Sequence, residues 1–100
     1  MNDWSDVHRA VDALYEAFDH YSWVGLYLVD GDELVPGPSR GEPAAASSLV
    51  VPILVDDEPV GELHVESERP HAFGPADRAF LEHVARLVAP AARAAALSRG

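Results

Sequence analysis

Leu49-Val-Val-Pro-Ile-Leu-Val55, then Asp56-Asp57-Glu58-Pro59, then Val60-Gly-Glu-Leu-His-Val-Glu-Ser67: two β-rich runs flank a short acidic turn. That pattern predicts a β-hairpin. The first run is apolar at nearly every position, as expected of a strand covered by helix on at least one face. The second alternates, with Leu63 and Val65 on one side and Val60, Glu62, His64 and Glu66 on the other. One face of the sheet therefore requires a core, while the opposite face carries ionisable groups. Any ligand or chemistry belongs on that second face.

The chain around this hairpin has 100 residues, enough for one domain that buries roughly 65% of its unfolded surface. Apolar residues make up 48% of it, which places it with globular rather than disordered chains. There is no cysteine, which excludes disulfides, thiolate metal sites and thiol nucleophiles. No apolar run is long enough to span a bilayer, so no membrane partner is expected. The start, Met1-Asn-Asp-Trp-Ser-Asp6, lacks the basic residues of a signal peptide, and a cytoplasmic protein is expected. Net charge is −10 and all seven basic residues are arginine. No positive patch is available for phosphates, so no nucleic-acid partner is expected. The acidity is read as a solubility feature rather than as the mark of a cationic partner.

Working outward, Trp4, Val7, Val11, Leu14 and Phe18 recur at three- and four-residue spacing, predicting a helix that ends near His20. Asp3 or Ser5 can cap it, and Asp6 suits the positive end of its dipole. His8 and Asp12 lie four apart, but no third ligand follows at helical spacing, so they are read as a surface pair and no metal is expected. Tyr21 to Val29 is the next strand. Asp30-Gly31-Asp32 turns it into a short strand around Glu33-Leu34-Val35. Pro36, Gly37 and Pro38 then end regular pairing, and residues 36–48 read as loop. Past the hairpin, Phe73-Gly-Pro-Ala-Asp77 opens a last helix. Its expected buried stripe is Phe80, Val84, Leu87, Val88 and Ala91, and Pro90 is expected to kink or break it.

Assembled, the elements predict a single α+β domain over 1–100, with two layers: a four-stranded antiparallel sheet with the N- and C-terminal helices on one face. Val24, Leu26, Leu28, Leu63 and Val65 lie under the helices, with Leu49, Val51, Ile53 and Val55 beside them. The open face holds Trp23, Tyr27, Val50, Pro52, Leu54, His64 and Glu66.

The sequence resembles the GAF domain family, and within it the branch that reduces free methionine-(R)-sulfoxide. The likeness is carried by Trp23-Val-Gly-Leu-Tyr-Leu28, Gly31-Asp-Glu-Leu-Val35, Gly37-Pro-Ser-Arg-Gly-Glu-Pro-Ala-Ala45, Ser47-Ser-Leu-Val-Val-Pro-Ile53, Val60-Gly-Glu-Leu-His-Val-Glu-Ser67 and Phe73-Gly-Pro-Ala-Asp-Arg-Ala-Phe-Leu81. These segments are collinear with the family's and cover most of the chain. By this resemblance the first catalytic cysteine of the branch aligns with Ala45. The others fall in a lid segment missing between Ala45 and Ser47. The carboxylates that hold the substrate amino group align with Ser48, His64 and Glu66, of which only Glu66 is an acid.

Sulfoxide reduction needs a thiolate to attack sulfur, so the resemblance implies the fold without the activity. A non-catalytic, minimal GAF-like module for regulation or association is expected, with no cofactor. The alternative is a small-molecule sensor using the open face, and a reductase-like enzyme is the least favoured. Candidate ligand-binding residues are Trp23, Tyr27, Ser48, Val50, His64 and Glu66; no catalytic residue is assigned. His64 and Glu66 share a strand face and could exchange protons with a substrate, but no activated nucleophile accompanies them. A homodimer or a protein partner is expected to use the uncovered sheet face. GAF domains often pair through their first and last helices, for which Ala91 to Leu97 with Tyr15 offer spare apolar surface.

Overall fold

The computed structural model describes residues 4–44 and 46–98. Six elements follow in order: α1 (Ser5–Ala17), β1 (Trp23–Asp30), β2 (Glu33–Gly41), β3 (Ser47–Val55), β4 (Glu58–Ser67) and α2 (Pro75–Ser98). The strands form one four-stranded antiparallel sheet, as the pattern predicts, and the structure orders them β2-β1-β4-β3. The organising hairpin closes through two residues, Asp56 and Asp57, both left-handed (φ 51° and 68°). That is the type I′ geometry whose twist matches the strands it joins, and aspartate tolerates it. The β1–β2 turn places Gly31 at φ 66°, where a side chain would be strained.

Both helices lie on one face of the sheet. Val7, Val11 and Leu14 of α1 meet Val24, Leu26, Leu28, Leu49, Val51, Ile53, Leu63 and Val65 in a single buried cluster. Arg40 of β2 reaches Asp12 at 3.3 Å and Glu16 at 2.8 Å, with its guanidinium over the Tyr15 ring, and so ties α1 to the edge of the sheet. The outer strands carry prolines. On β3, the Val50 carbonyl faces outward to Arg78, and Pro52, two residues on, presents no donor to that same edge.

Four expectations are corrected. Strand β2 runs on through Pro36 and Pro38 to Gly41, because an edge strand needs donors on one side only. A register shift opposite Gly25–Tyr27 absorbs the extra residue, so the expected 36–48 loop shrinks to residues 42–46. Helix α1 stops at Ala17 with Phe18 extended, and Trp4 occupies its N-cap without a side-chain bond. Ser5 therefore does not cap, and Asp3 lies outside the described residues. Helix α2 continues through Pro90. Pro90 and Arg86, whose carbonyl loses its partner, are both exposed, so water can replace the missing bond while the buried neighbours hold the helix down.

The fourth correction concerns which side of α2 is buried. Leu81, Ala85, Val88, Ala89, Ala92 and Ala95 face the core. Of the expected stripe only Val88 is buried; Phe80 is 42% and Leu87 69% exposed.

Candidate functional site: the open face of the sheet

The period of two along each strand, combined with the antiparallel register, brings the expected residues together. Trp23 pairs with Glu66, which pairs with Ser48. One step along, Gly25 pairs with His64, which pairs with Val50. The next row is Tyr27, Glu62 and Pro52. All six candidates thus share the face turned away from the helices. Trp23, Tyr27, His64 and Glu66 are half-buried there, while Ser48 and Val50 are exposed.

Gly25 lets the aromatic residues assemble. A methyl group on it would overlap the Trp23 indole, so the ring lies along its own strand in space no side chain fills. The indole centroid is 6.4 Å from that of Tyr27, and the Tyr27 ring is 4.5 Å from the His64 imidazole. Together they make a strip across the middle of the sheet.

The ionisable groups of this strip are already engaged. His64 Nε2 lies 2.8 Å from Glu62 Oε1. Glu66 Oε1 accepts the Ala44 N–H at 2.8 Å, fastening the 42–46 loop to the sheet. Glu62 was readable as a face-sharing neighbour two residues before His64, although sequence alone does not show their contact. Ala44 could not be found from sequence, because its place depends on how far β2 extends. Ala45, the position aligned with the first reductase cysteine, lies outside the described residues.

Beside the strip, Trp23, Tyr27, Pro36 and Pro38 border a dimple of ≈ 40 Å³, and His64 is not among its lining residues. Small-molecule sites typically enclose about 300–1,000 Å³, so this hollow holds little more than solvent. Among the described residues no cluster of three or more histidine or carboxylate side chains is placed to hold a metal. Nor, among them, is any helix long and apolar enough to cross a membrane.

At the end of the sheet where β1 begins, Tyr21 is buried among aromatic rings. It stacks on Phe18 at 4.7 Å and meets Phe73 edge-on at 5.7 Å. Among the described residues its hydroxyl has no hydrogen-bond partner. Burial, with the Asp77 carboxylate as the smaller influence, pushes its pKa up to about 12.

A four-stranded antiparallel sheet with two terminal helices on one face and the other face open is a GAF-like α+β fold. Residues 27–92 match the GAF domain family, and the chain belongs to that family. Its fold is shared with the type II free methionine-R-sulfoxide reductase of Thermoplasma acidophilum (TM-score 0.85, 22% identity, 92% of each chain covered). It is similar to a candidate GAF sensor protein from Burkholderia vietnamiensis (TM-score 0.82, 25% identity, 99% of this chain and 82% of that one). It also shares its fold with the free methionine-R-sulfoxide reductase of Neisseria meningitidis in complex with its substrate (TM-score 0.78, 22% identity, 99% and 82%). No curated protein matches the sequence.

Proposed function

We propose that this chain is a non-catalytic GAF module that acts in regulation by associating with another protein surface. The observation that carries this is the absence of any thiol from a fold whose reductase relatives work on a sulfoxide. A thiolate is the group that attacks sulfur and takes up its oxygen as a sulfenic acid. Chain length adds nothing to the case, since the Thermoplasma reductase is covered over 92% of its own chain and is therefore of similar size. The open face supports the same reading, because His64 is held by Glu62 and Glu66 by the Ala44 N–H, which leaves neither engaged with Ser48, the hydroxyl paired with Glu66 across the sheet.

The test is an assay with free methionine-(R)-sulfoxide and either thioredoxin or dithiothreitol. No turnover above a heat-inactivated control is expected, and enzyme-dependent turnover refutes the proposal. A second reading, small-molecule sensing, draws on the half-exposed strip of Trp23, Tyr27 and His64. A metabolite that raises the melting point of the wild type but not of Trp23→Ala would favour it.

A further inference from the structure

We infer that the outer edge of β3 takes an extended segment of a partner protein as a fifth strand, one whose alternate residues read acid, base, acid. This rests on the association function proposed above and names the surface and the chemistry of the partner. The Val50 carbonyl points away from β4, toward Arg78, and the period of two turns the backbone groups of Ser48 and Pro52 the same way. The edge therefore offers the N–H and C=O of Ser48 and Val50 and the C=O of Pro52. Among the described residues their one partner is the exposed Arg78 guanidinium, 3.5 Å from the Val50 carbonyl, which can swing onto an incoming carboxylate. Sheets usually blunt such edges with proline, charge or a covering element. The other edge, β2, carries Pro36 and Pro38 and is tied to α1 through Arg40.

Charge selects the occupant. Arg78, Glu82 and Arg86 stand four residues apart on the flank of α2 beside this edge, and all are exposed. Side chains at this spacing ordinarily pair along a helix, yet among the described residues none of the three makes an ion pair. Four helical residues advance about 6 Å and two strand residues about 6.7 Å. An added strand therefore sets successive helix-side residues against the three charges in turn, and acid, base, acid is the complementary order. Its other side chains fall on the open face beside Val50 and Leu54, 38% and 42% exposed, where apolar residues fit. A groove of ≈ 330 Å³ lined by Pro52, Leu54, Asp57, Glu82, Ala85 and Arg86 wraps this end of the edge and gives them room. In this mode backbone pairing supplies affinity and alternate side chains supply specificity. A second copy of the chain fits poorly. Helix α2 lies chiefly over β3, and an antiparallel β3 pair would set two such helices above strands about 5 Å apart, where packed helices need about 8–10 Å.

Fluorescence anisotropy of the full chain with a labelled, end-capped peptide, Ser-Val-Asp-Val-Lys-Val-Asp-Val-Ser, tests this, with a Kd expected at about 10–100 μM. The charge-reversed peptide, Ser-Val-Lys-Val-Asp-Val-Lys-Val-Ser, should bind at least about tenfold more weakly. The chain's net charge of −10 favours that second peptide, so a preference for the first has to come from pairing at the edge. In Arg78→Glu/Glu82→Arg/Arg86→Glu the preference should reverse. The wild type gives a second readout that needs no variant: amide exchange at Ser48 and Val50 should slow at least about tenfold in saturating peptide. No binding below about 500 μM, equal binding of the two peptides, or unchanged exchange at both amides overturns the inference. So does a wild type that dimerises and protects both amides without peptide, because the occupant is then a second copy. Failure of these peptide measurements leaves the non-catalytic function untouched, whereas reductase turnover, measured separately, overturns that function and leaves the edge standing.

Discussion

Replacing Tyr21 by phenylalanine should stabilise the protein, and more so as the pH rises. Tyr21 is 3% exposed, and among the described residues its hydroxyl has no partner. A buried polar group without a hydrogen bond costs about 1–3 kcal/mol, so at neutral pH the variant should match or exceed the wild type by up to about 2 kcal/mol. The alkaline behaviour follows from linkage. Below about pH 10 the phenol is protonated in both folded and unfolded chains, and Tyr21 imposes no pH dependence. Above it the unfolded chain loses the proton, while the folded protein keeps it up to about 12. Stability is therefore lost as pH climbs through that window and falls no further beyond it. One pKa unit is worth about 1.4 kcal/mol, so the full loss approaches about 3 kcal/mol, and about half has occurred by pH 11. Urea unfolding followed by far-ultraviolet circular dichroism, at intervals from pH 7 to pH 11, isolates the effect as the difference between the two proteins. Parallel loss of stability in wild type and variant above pH 10 would refute the reasoning. So would a variant weaker by more than about 1 kcal/mol at neutral pH, because the hydroxyl would then have a partner.

Two further substitutions test the sheet. Leu63→Ala empties a site that is 1% exposed and should cost about 2–5 kcal/mol, whereas His64→Ala, on the opposite face, should cost under about 1 kcal/mol; the reverse order in denaturant melts would mean the faces are exchanged. Gly25→Ala places a methyl group where the Trp23 indole lies, and the ring must swing away at a cost of about 1–3 kcal/mol. Near-ultraviolet circular dichroism should change with it, and an unaltered spectrum would show that the indole does not rest on Gly25.

The sheet was legible because strands advertise their faces twice over. Leu63 and Val65 alternate with Glu62, His64 and Glu66, and the same parity separates Val24, Leu26 and Leu28 from Trp23 and Tyr27. Parity alone puts every candidate on one face, and the β1–β4 pairing of the finished sheet sets them in adjoining rows. What alternation cannot reveal is how far a strand extends. Pro36 and Pro38 argue against a central strand, but they are harmless on an edge, and edge position depends on the order of strands in the finished sheet. The Glu66–Ala44 bond follows from that extension, so it was hidden for the same reason. The Tyr21 hydroxyl was hidden for a different one: tyrosine at a strand start is usually wet at its tip, and here Phe18 and Phe73 close over it.

Helix α2 buries the less bulky of its two apolar stripes. Phe80, Val84, Leu87 and Ala91 have the spacing of a buried stripe, and so do Leu81, Ala85, Val88, Ala92 and Ala95. Bulk favours the first set, which together with Val88 is the stripe expected from the sequence. The sheet decides otherwise. Leu49, Val51 and Ile53 of β3 already fill the interior with large side chains, and a helix laid closely over them must contribute mostly small ones. Alanines give that close approach at little entropic cost. The bulkier stripe is then left outside, although every residue in it is apolar. A helix apolar on one side needs a single partner, whereas one apolar on two sides needs two. The sheet is the first partner of α2. On its far side Phe80 and Leu87 stay exposed, 42% and 69%, in the single chain.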